Sequence, residues 1–334
     1  MVLAVIFALL AAGSNALGTV LQRRAVLNVP ESQSSRLGLV RSLLRNPAWF
    51  GGILGVVFAA LFQALALTTG SLAAVQPIFI LELPLALVIG SAVFRVRVSR
   101  KAWLCVALIF AGLATSLFST APSGGRDQVP EVWWAPTLAI LCGAGVALVL
   151  SGLRRPHGLA RGARLAAAAA IGNALTAALA KSAMAVLSEQ GAAGFFLAWQ
   201  TYGFALAGSL SIFLLGYAMQ AGPLIASQPA LTLGDALVSF CLGVALYGES
   251  PRLGLWVAPA LLGVALFSYG VFALSRTRCH AKCVYPDEQD VAQQEAQHAT
   301  PAHSRVGGAE LEVGATRKLP TTAQSPFDSP SGPL

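Results

Sequence analysis

Nine apolar runs, each long enough to cross a lipid bilayer as a helix, occupy most of the first 275 residues. A membrane-spanning helix needs about 20 mostly apolar residues, because the hydrocarbon layer is about 30 Å thick. A hydrophobic fraction of 56% and a charged fraction of 11% are not those of a soluble domain. The sequence therefore predicts an all-α integral membrane protein, with spans at 2–21, 49–67, 72–94, 102–118, 132–150, 165–187, 194–217, 223–247 and 253–274.

Basic residues lie almost entirely in alternate connections between these spans. The connections after the first, third, fifth and ninth spans hold most of the Lys and Arg, whereas those after the second, fourth, sixth and eighth hold only Arg126 and Arg252. Because short cytoplasmic loops are enriched in Lys and Arg, we predict a multi-pass inner-membrane protein with its N-terminus outside and its C-terminus in the cytoplasm. Arg23 and Arg24 follow the first apolar run, so we expect it to be retained rather than cleaved as a signal peptide. The same loop placement explains the net charge of +8 without a nucleic-acid partner.

The chain contains an internal repeat. Residues 70–77 and 222–229 agree at five of eight positions, and each copy leads into an apolar run with one central carboxylate. A weaker match joins 15–23 to 173–181. Five spans separate equivalent elements, so the two copies must have opposite orientations. We therefore predict two inverted repeats, at 1–131 (spans one to four) and 152–278 (spans six to nine), as in secondary transporters. Residues 132–151 form a linking fifth span.

The last part of the chain differs in composition from the rest. Residues 279–334 are rich in polar residues and Pro and poor in large apolar residues, which predicts a disordered cytoplasmic tail. The group Cys279, His280 and Cys283 has no second ligand pair at a fixed spacing, so a metal site there is not favoured.

Ionisable residues within the spans are the main functional candidates. A charged side chain at the bilayer centre costs at least about 2.5 kcal/mol, so Asp235 and Glu82 need an explanation. Asp235 shares a helix face with Gln228 and Thr232, whereas Glu82 does not share one with Gln76. We hypothesise that Asp235, together with Glu82, binds a proton or cation coupled to transport; the alternative is a structural role in helix packing. The candidate pathway residues are Asp235, Glu82, Gln228, Gln76, Thr232, Asn15, Asn173 and Lys181.

Lys181 and two prolines leave further alternatives open. Lys181 either extends to the membrane interface or pairs with Asp235 or Glu82. Pro77 and Pro229 each remove a backbone amide within a span, which predicts either an ordinary kink or a locally opened helix lining the pathway. Asn15 and Asn173 either join neighbouring helices or contact substrate.

Several of these segments resemble known transporters. The run 220–239 (QAGPLIASQPALTLGDALVS), closing with Gly248 and Glu249, resembles a helix pair of the drug/metabolite transporter superfamily, and most closely its actinobacterial EamA-type members. The run 70–77, the basic turn at 95–101 and the run 103–112 are similar in layout to these and to NIPA-type magnesium transporters, which the nine-span plan also resembles. Where many family members have Glu, this chain has Arg95-Val-Arg97, so the resemblance does not extend to a symmetric role for Glu249.

The resemblance implies a secondary transporter that exports or exchanges a small polar or amphipathic metabolite by alternating access. The alternatives are a divalent cation permease of the NIPA kind and a non-transporting membrane scaffold. An enzyme is not expected, because no His lies within a predicted span. No nucleotide-binding motif is present, and no cofactor is expected. The expected partners are the lipid bilayer and a small-molecule or cation substrate; the oligomeric state is open, with a homodimer as one arrangement.

Overall fold

The computed structural model describes residues 2–27, 47–95, 98–122, 124–222, 224–252 and 254–276. Nine helices within these ranges are long and apolar enough to cross a membrane. They confirm the predicted number of spans and a multi-pass membrane architecture. The predicted tail at 279–334, the linker around Arg36, Arg41 and Arg45, and the group at 279–283 lie outside the described residues.

The helices follow one another with short connections. In chain order they are α1 (Val2–Leu27), α2 (Pro47–Thr69), α3 (Leu72–Ile78), α4 (Glu82–Val93), α5 (Arg100–Thr120), α6 (Glu131–Leu153), α7 (Leu159–Leu197), α8 (Trp199–Ala221), α9 (Leu224–Ala245) and α10 (Val257–Ser275). A 3₁₀ turn at Phe79–Leu81 joins α3 to α4, and these three pieces form the third span. Another 3₁₀ turn, Gly254–Trp256, precedes α10.

The boundary between α7 and α8 differs from the prediction. The seventh span was predicted to begin at Gly194, but α7 continues to Leu197 and α8 begins at Trp199. Gly191 has φ 71° and ψ −169°, which kinks the end of α7, and Ala198 is extended with φ −70° and ψ 127°. Apolar residues run from Ala192 through the break at Ala198 to Trp199, so hydropathy alone places the start of this span incorrectly.

Close backbone contacts hold the helices together in pairs. α1 packs extensively on α2, α7 on α8, and α5 on α10, whereas α6 packs mainly on α7. A Cβ atom added to Gly55 of α2 would lie 2.9 Å from the Cα of Gly18 in α1. A Cβ atom added to Gly263 of α10 would lie 2.5 Å from the backbone N of Ser116 in α5. Small residues at such crossings let membrane helices approach closely.

We expect Gly263→Val to destabilise the protein by about 3 kcal/mol or more, because the new side chain meets backbone that cannot move aside easily. Gly143→Val is the matched control, since a Cβ atom there meets nothing within 4 Å. Thermal unfolding of both purified variants in detergent checks the prediction. Equal unfolding temperatures for the two variants would contradict the close packing of α5 on α10.

Connections that contact one another define two ends of the helical bundle. Ser71 Oγ donates a hydrogen bond to the carbonyl of Pro122 (3.3 Å), and the backbone N of Arg126 donates to the carbonyl of Tyr247 (2.9 Å). Residues 70–71, 121–122, 124–130 and 246–252 therefore share one end, called here the Glu249 end. The backbone N of Gly158 donates to the carbonyl of Ala221 (2.9 Å), which places residues 154–158 and 221–222 together at the opposite, Gly158 end.

Candidate functional site

A cavity of about 640 Å³ lies among six of the nine spans. Its walls come from α1, α2, the third span, α7, α8 and α9. The cavity brings together seven of the eight residues predicted for the pathway: Asn15, Gln76, Glu82, Asn173, Gln228, Thr232 and Asp235. Lys181 does not line it. Polar side chains on these apolar helices thus converge on one interior space.

Two carboxyl groups, those of Glu82 and Asp235, lie in the wall of the cavity. Glu82 is the first residue of α4, and its side chain is hydrogen-bonded to that of Asn15. Asp235 lies in α9 and accepts a hydrogen bond from Ser239 Oγ (3.3 Å). The two carboxyl groups interact electrostatically. Two like charges in a low-dielectric space repel each other, so a bound cation or proton would relieve that repulsion.

Gln76 has an unsatisfied polar atom in this wall. Its side chain is 4% exposed, and its Nε2 atom has no hydrogen-bond partner among the described residues. A buried donor left without an acceptor costs about 1–3 kcal/mol. The cavity beside Gln76 is therefore suited to a group that accepts this hydrogen bond.

The interruption of the third span brings Gln76 and Glu82 to the same cavity. In a regular α-helix these residues would lie about 120° apart, as the sequence analysis assumed. The 3₁₀ turn at Phe79–Leu81 advances by about 120° per residue instead of about 100°, which reduces their separation to about 60°. Pro77 lies in α3 immediately before this turn, whereas α9 continues as an α-helix through Pro229. A helix interruption therefore follows Pro77 but not Pro229, although the sequence predicts the same behaviour for both.

Asn173 lines the cavity and also makes a hydrogen bond to a neighbouring helix. Its Oδ1 atom accepts a hydrogen bond from Ser211 Oγ (2.5 Å), which joins α7 to α8. Asn173 is therefore both a packing residue and a lining residue, the two roles that the sequence left open.

Lys181 forms a buried ion pair that the sequence analysis did not predict. Its Nζ atom lies 2.8 Å from Oε1 of Glu249, and the two residues are 5% and 1% exposed. The predicted pairing of Lys181 with Asp235 or Glu82 is wrong, and so is its extension to the interface. Its amine also lies 4.7 Å from the centre of the Tyr247 ring, a favourable cation–π position.

Glu249 also caps the beginning of the third span. Its carboxylate accepts hydrogen bonds from the backbone N of Leu72 (2.6 Å) and of Ala73 (2.8 Å). These amides belong to the first turn of α3, where backbone donors lack partners within the helix and the helix dipole favours a negative charge. Ser71 at the N-cap makes no side-chain capping bond, so Glu249 supplies the cap from a distant part of the chain.

Tyr247 extends this contact to α7. Its hydroxyl donates to the carbonyl of Ala178 (2.5 Å) and shares a hydrogen bond with Ser182 Oγ (2.8 Å). The group formed by Lys181, Glu249, Tyr247, Ser182 and the first turn of α3 is called here the Glu249 network. It joins α7, the third span and the connection between α9 and α10.

The Glu249 network lies beyond one end of the cavity lining. Lys181 lies one helical turn beyond Ala177 of the cavity wall, and Leu72 lies one turn before Gln76. In the other direction the lining reaches Gln22 of α1 and Met219 of α8, towards the Gly158 end. One sequence signal points to the network: Lys181 and Glu249 carry opposite charges at similar membrane depth.

These observations define a multi-pass membrane protein with a polar interior cavity. The chain is 32% identical over 287 residues to an uncharacterized protein of Corynebacterium glutamicum, a match that covers 82% of this chain and 95% of that protein. It therefore belongs to the same family as this C. glutamicum protein. No family model and no solved structure matches the chain.

Proposed function

We propose that the protein is a secondary transporter of the drug/metabolite transporter type, which exports or exchanges a small polar or amphipathic metabolite. The observation that carries this proposal is the cavity itself, in which two carboxyl groups and several amide side chains meet within the membrane-spanning region. Polar and ionisable groups at this depth are costly, and they typically mark substrate or ion pathways. The EamA-type resemblance around 220–239 supports the same class.

The pattern of helix packing supports two structural repeats. α1 packs on α2 as α7 packs on α8, and α1 packs on the third span as α7 packs on α9. The third span packs on α9, and α5 packs on α10, so two elements of one predicted repeat contact their equivalents in the other. In transporters built this way, the substrate site lies where the repeats meet.

Alternating access would then operate at the Glu249 network. With the Gly158 end in the cytoplasm, as the basic connections predict, the Glu249 network would lie between the cavity and the outside. Opening that side would separate Glu249 from Lys181 and from the first turn of α3. Asp235 and Glu82 would carry a proton or coupling cation between the two states.

A divalent cation permease is the second candidate, because the cavity offers two carboxyl groups and several amide oxygens. Mg²⁺ keeps several of its waters and binds through one or two carboxylates, so this set could hold it. The described residues contain no group of three or more His, Cys, Asp or Glu side chains suited to a metal.

Flux measured in proteoliposomes under an imposed pH gradient tests the proposal. We expect gradient-dependent movement of an organic solute from a panel of amino acids, amines and small drugs. Movement of Mg²⁺ alone would favour the cation permease, and no flux of any solute would contradict a transport function.

A further inference from the structure

The described lining of the cavity has acidic side chains and no basic ones. Glu82 and Asp235 line it, and no Lys, Arg or His belongs to its described lining. Lys181, a buried residue of α7, is paired with Glu249 and does not line the cavity. A ligand carboxylate or phosphate placed here would lose its hydration and gain no cationic partner, which is strongly unfavourable. A ligand cation would gain two carboxyl partners.

Gln76 adds a requirement for a second group on the ligand. Gln76 lines the same cavity as Glu82, six residues earlier in the interrupted third span, and its buried Nε2 atom has no hydrogen-bond partner among the described residues. A hydroxyl, ether or carbonyl oxygen on the ligand would accept this hydrogen bond without bringing a negative charge. Such an oxygen close to the cationic centre could reach Gln76 while the cation contacts Glu82.

The rest of the wall favours an apolar body. Phe79, Ile80 and Leu83 lie on one side of the cavity, and Ile212, Leu215 and Leu231 lie on another. A cavity of about 640 Å³ has room for a ligand of several carbon atoms together with water. The walls therefore suit a small branched or aromatic hydrocarbon group.

Resting on the proposed transport function, we propose that the substrate is an organic cation: a protonated amine with a neutral hydrogen-bond acceptor nearby and a small apolar body. The amine binds between Glu82 and Asp235, and the acceptor binds Gln76. The site rejects the corresponding amino acid and hydroxy acid, because neither carboxylate finds a positive partner. This narrows the substrate from polar metabolites in general to amino alcohols and related amines.

Four compounds with one carbon skeleton separate these requirements. Leucinol has the amine and a hydroxyl, 4-methylpentan-2-amine has only the amine, leucine is the zwitterion, and 2-hydroxy-4-methylpentanoate is the anion. Binding to the purified full-length protein is measured by isothermal titration calorimetry in detergent. We expect leucinol to bind about ten-fold more tightly than the amine without the hydroxyl, since that amine leaves Gln76 unpartnered. Leucine and the hydroxy acid should bind at least about ten-fold more weakly than leucinol.

Substitutions of Gln76, Glu82 and Asp235 test which part of the ligand each of these side chains binds. Gln76→Leu should remove the difference in affinity between leucinol and 4-methylpentan-2-amine. The affinity for 4-methylpentan-2-amine should stay unchanged. The double variant Glu82→Gln and Asp235→Asn should bind both amines more weakly. Asp127→Asn, an exposed substitution in the connection after α5, should change neither. The wild-type comparison of the four compounds does not depend on whether the cavity variants fold.

The outcomes separate this inference from the proposed function. Tighter binding of leucine or of the hydroxy acid than of leucinol would overturn it, as would the absence of binding by all four compounds at millimolar concentration. Leucinol binding without flux in proteoliposomes would support the cation site and contradict transport. Flux of leucine with no binding of leucinol would support transport and overturn the cation site.

Discussion

Replacement of Lys181 by Met is expected to destabilise the protein by about 3–5 kcal/mol, because it leaves the buried Glu249 carboxylate without its cation. The two remaining hydrogen bonds from the amides of Leu72 and Ala73 reduce this cost without removing it. Thermal unfolding in detergent measures the change. Lys101→Met is the control, since Lys101 is an exposed residue in the first turn of α5, and its replacement should have little effect.

Replacement of Glu249, the partner of Lys181, completes a double-mutant cycle. Glu249→Gln should also destabilise the protein strongly, because it leaves the Lys181 ammonium group buried without a counter-charge. The double variant carries neither charge, so it should be more stable than the sum of the two single effects predicts. Additive effects of the two substitutions would contradict a coupled ion pair between α7 and the connection after α9.

Asp235→Asn is expected to reduce gradient-dependent flux by about ten-fold or more at normal expression, and to change its pH dependence. Asn has nearly the same shape and can keep the hydrogen bond with Ser239, but it cannot carry a charge or exchange a proton. Flux into proteoliposomes at several pH values measures both effects. Asp127→Asn is the matched control in an exposed connection. Unchanged rates and pH dependence in Asp235→Asn would contradict a role for this carboxyl group in transport.

The pathway residues were largely predictable, because the membrane restricts where polar side chains can lie. An Asn, Gln, Asp or Glu within a long apolar helix must face protein or water rather than lipid. Asn15, Gln76, Asn173 and Gln228 satisfy this rule and converge on the cavity with the two carboxyl groups. The number of spans was predictable for a related reason, since each helix must be about as long as the bilayer is thick.

The Glu249 network was not predictable from local patterns. Lys181 and Glu249 are 68 residues apart, and the capped amides of Leu72 and Ala73 are more than 170 residues from Glu249. Nothing local indicates which of three carboxylates a buried Lys will meet. The 3₁₀ turn after Pro77 is likewise a tertiary outcome, because Pro229 in the equivalent position leaves α9 continuous.

Alternating access is tested by measuring whether the cavity can be reached from each side of the membrane. The five native cysteines would be replaced, and Thr232→Cys introduced in the cavity wall. Oriented proteoliposomes would then be treated on either side with a membrane-impermeant thiol reagent. Asp127→Cys, in an exposed connection at the Glu249 end, should react from that side alone and reports the orientation. We predict that Thr232→Cys reacts from both sides, because alternating access exposes the cavity to each side of the membrane in turn. Reaction from one side only would contradict alternating access and would favour a static membrane scaffold.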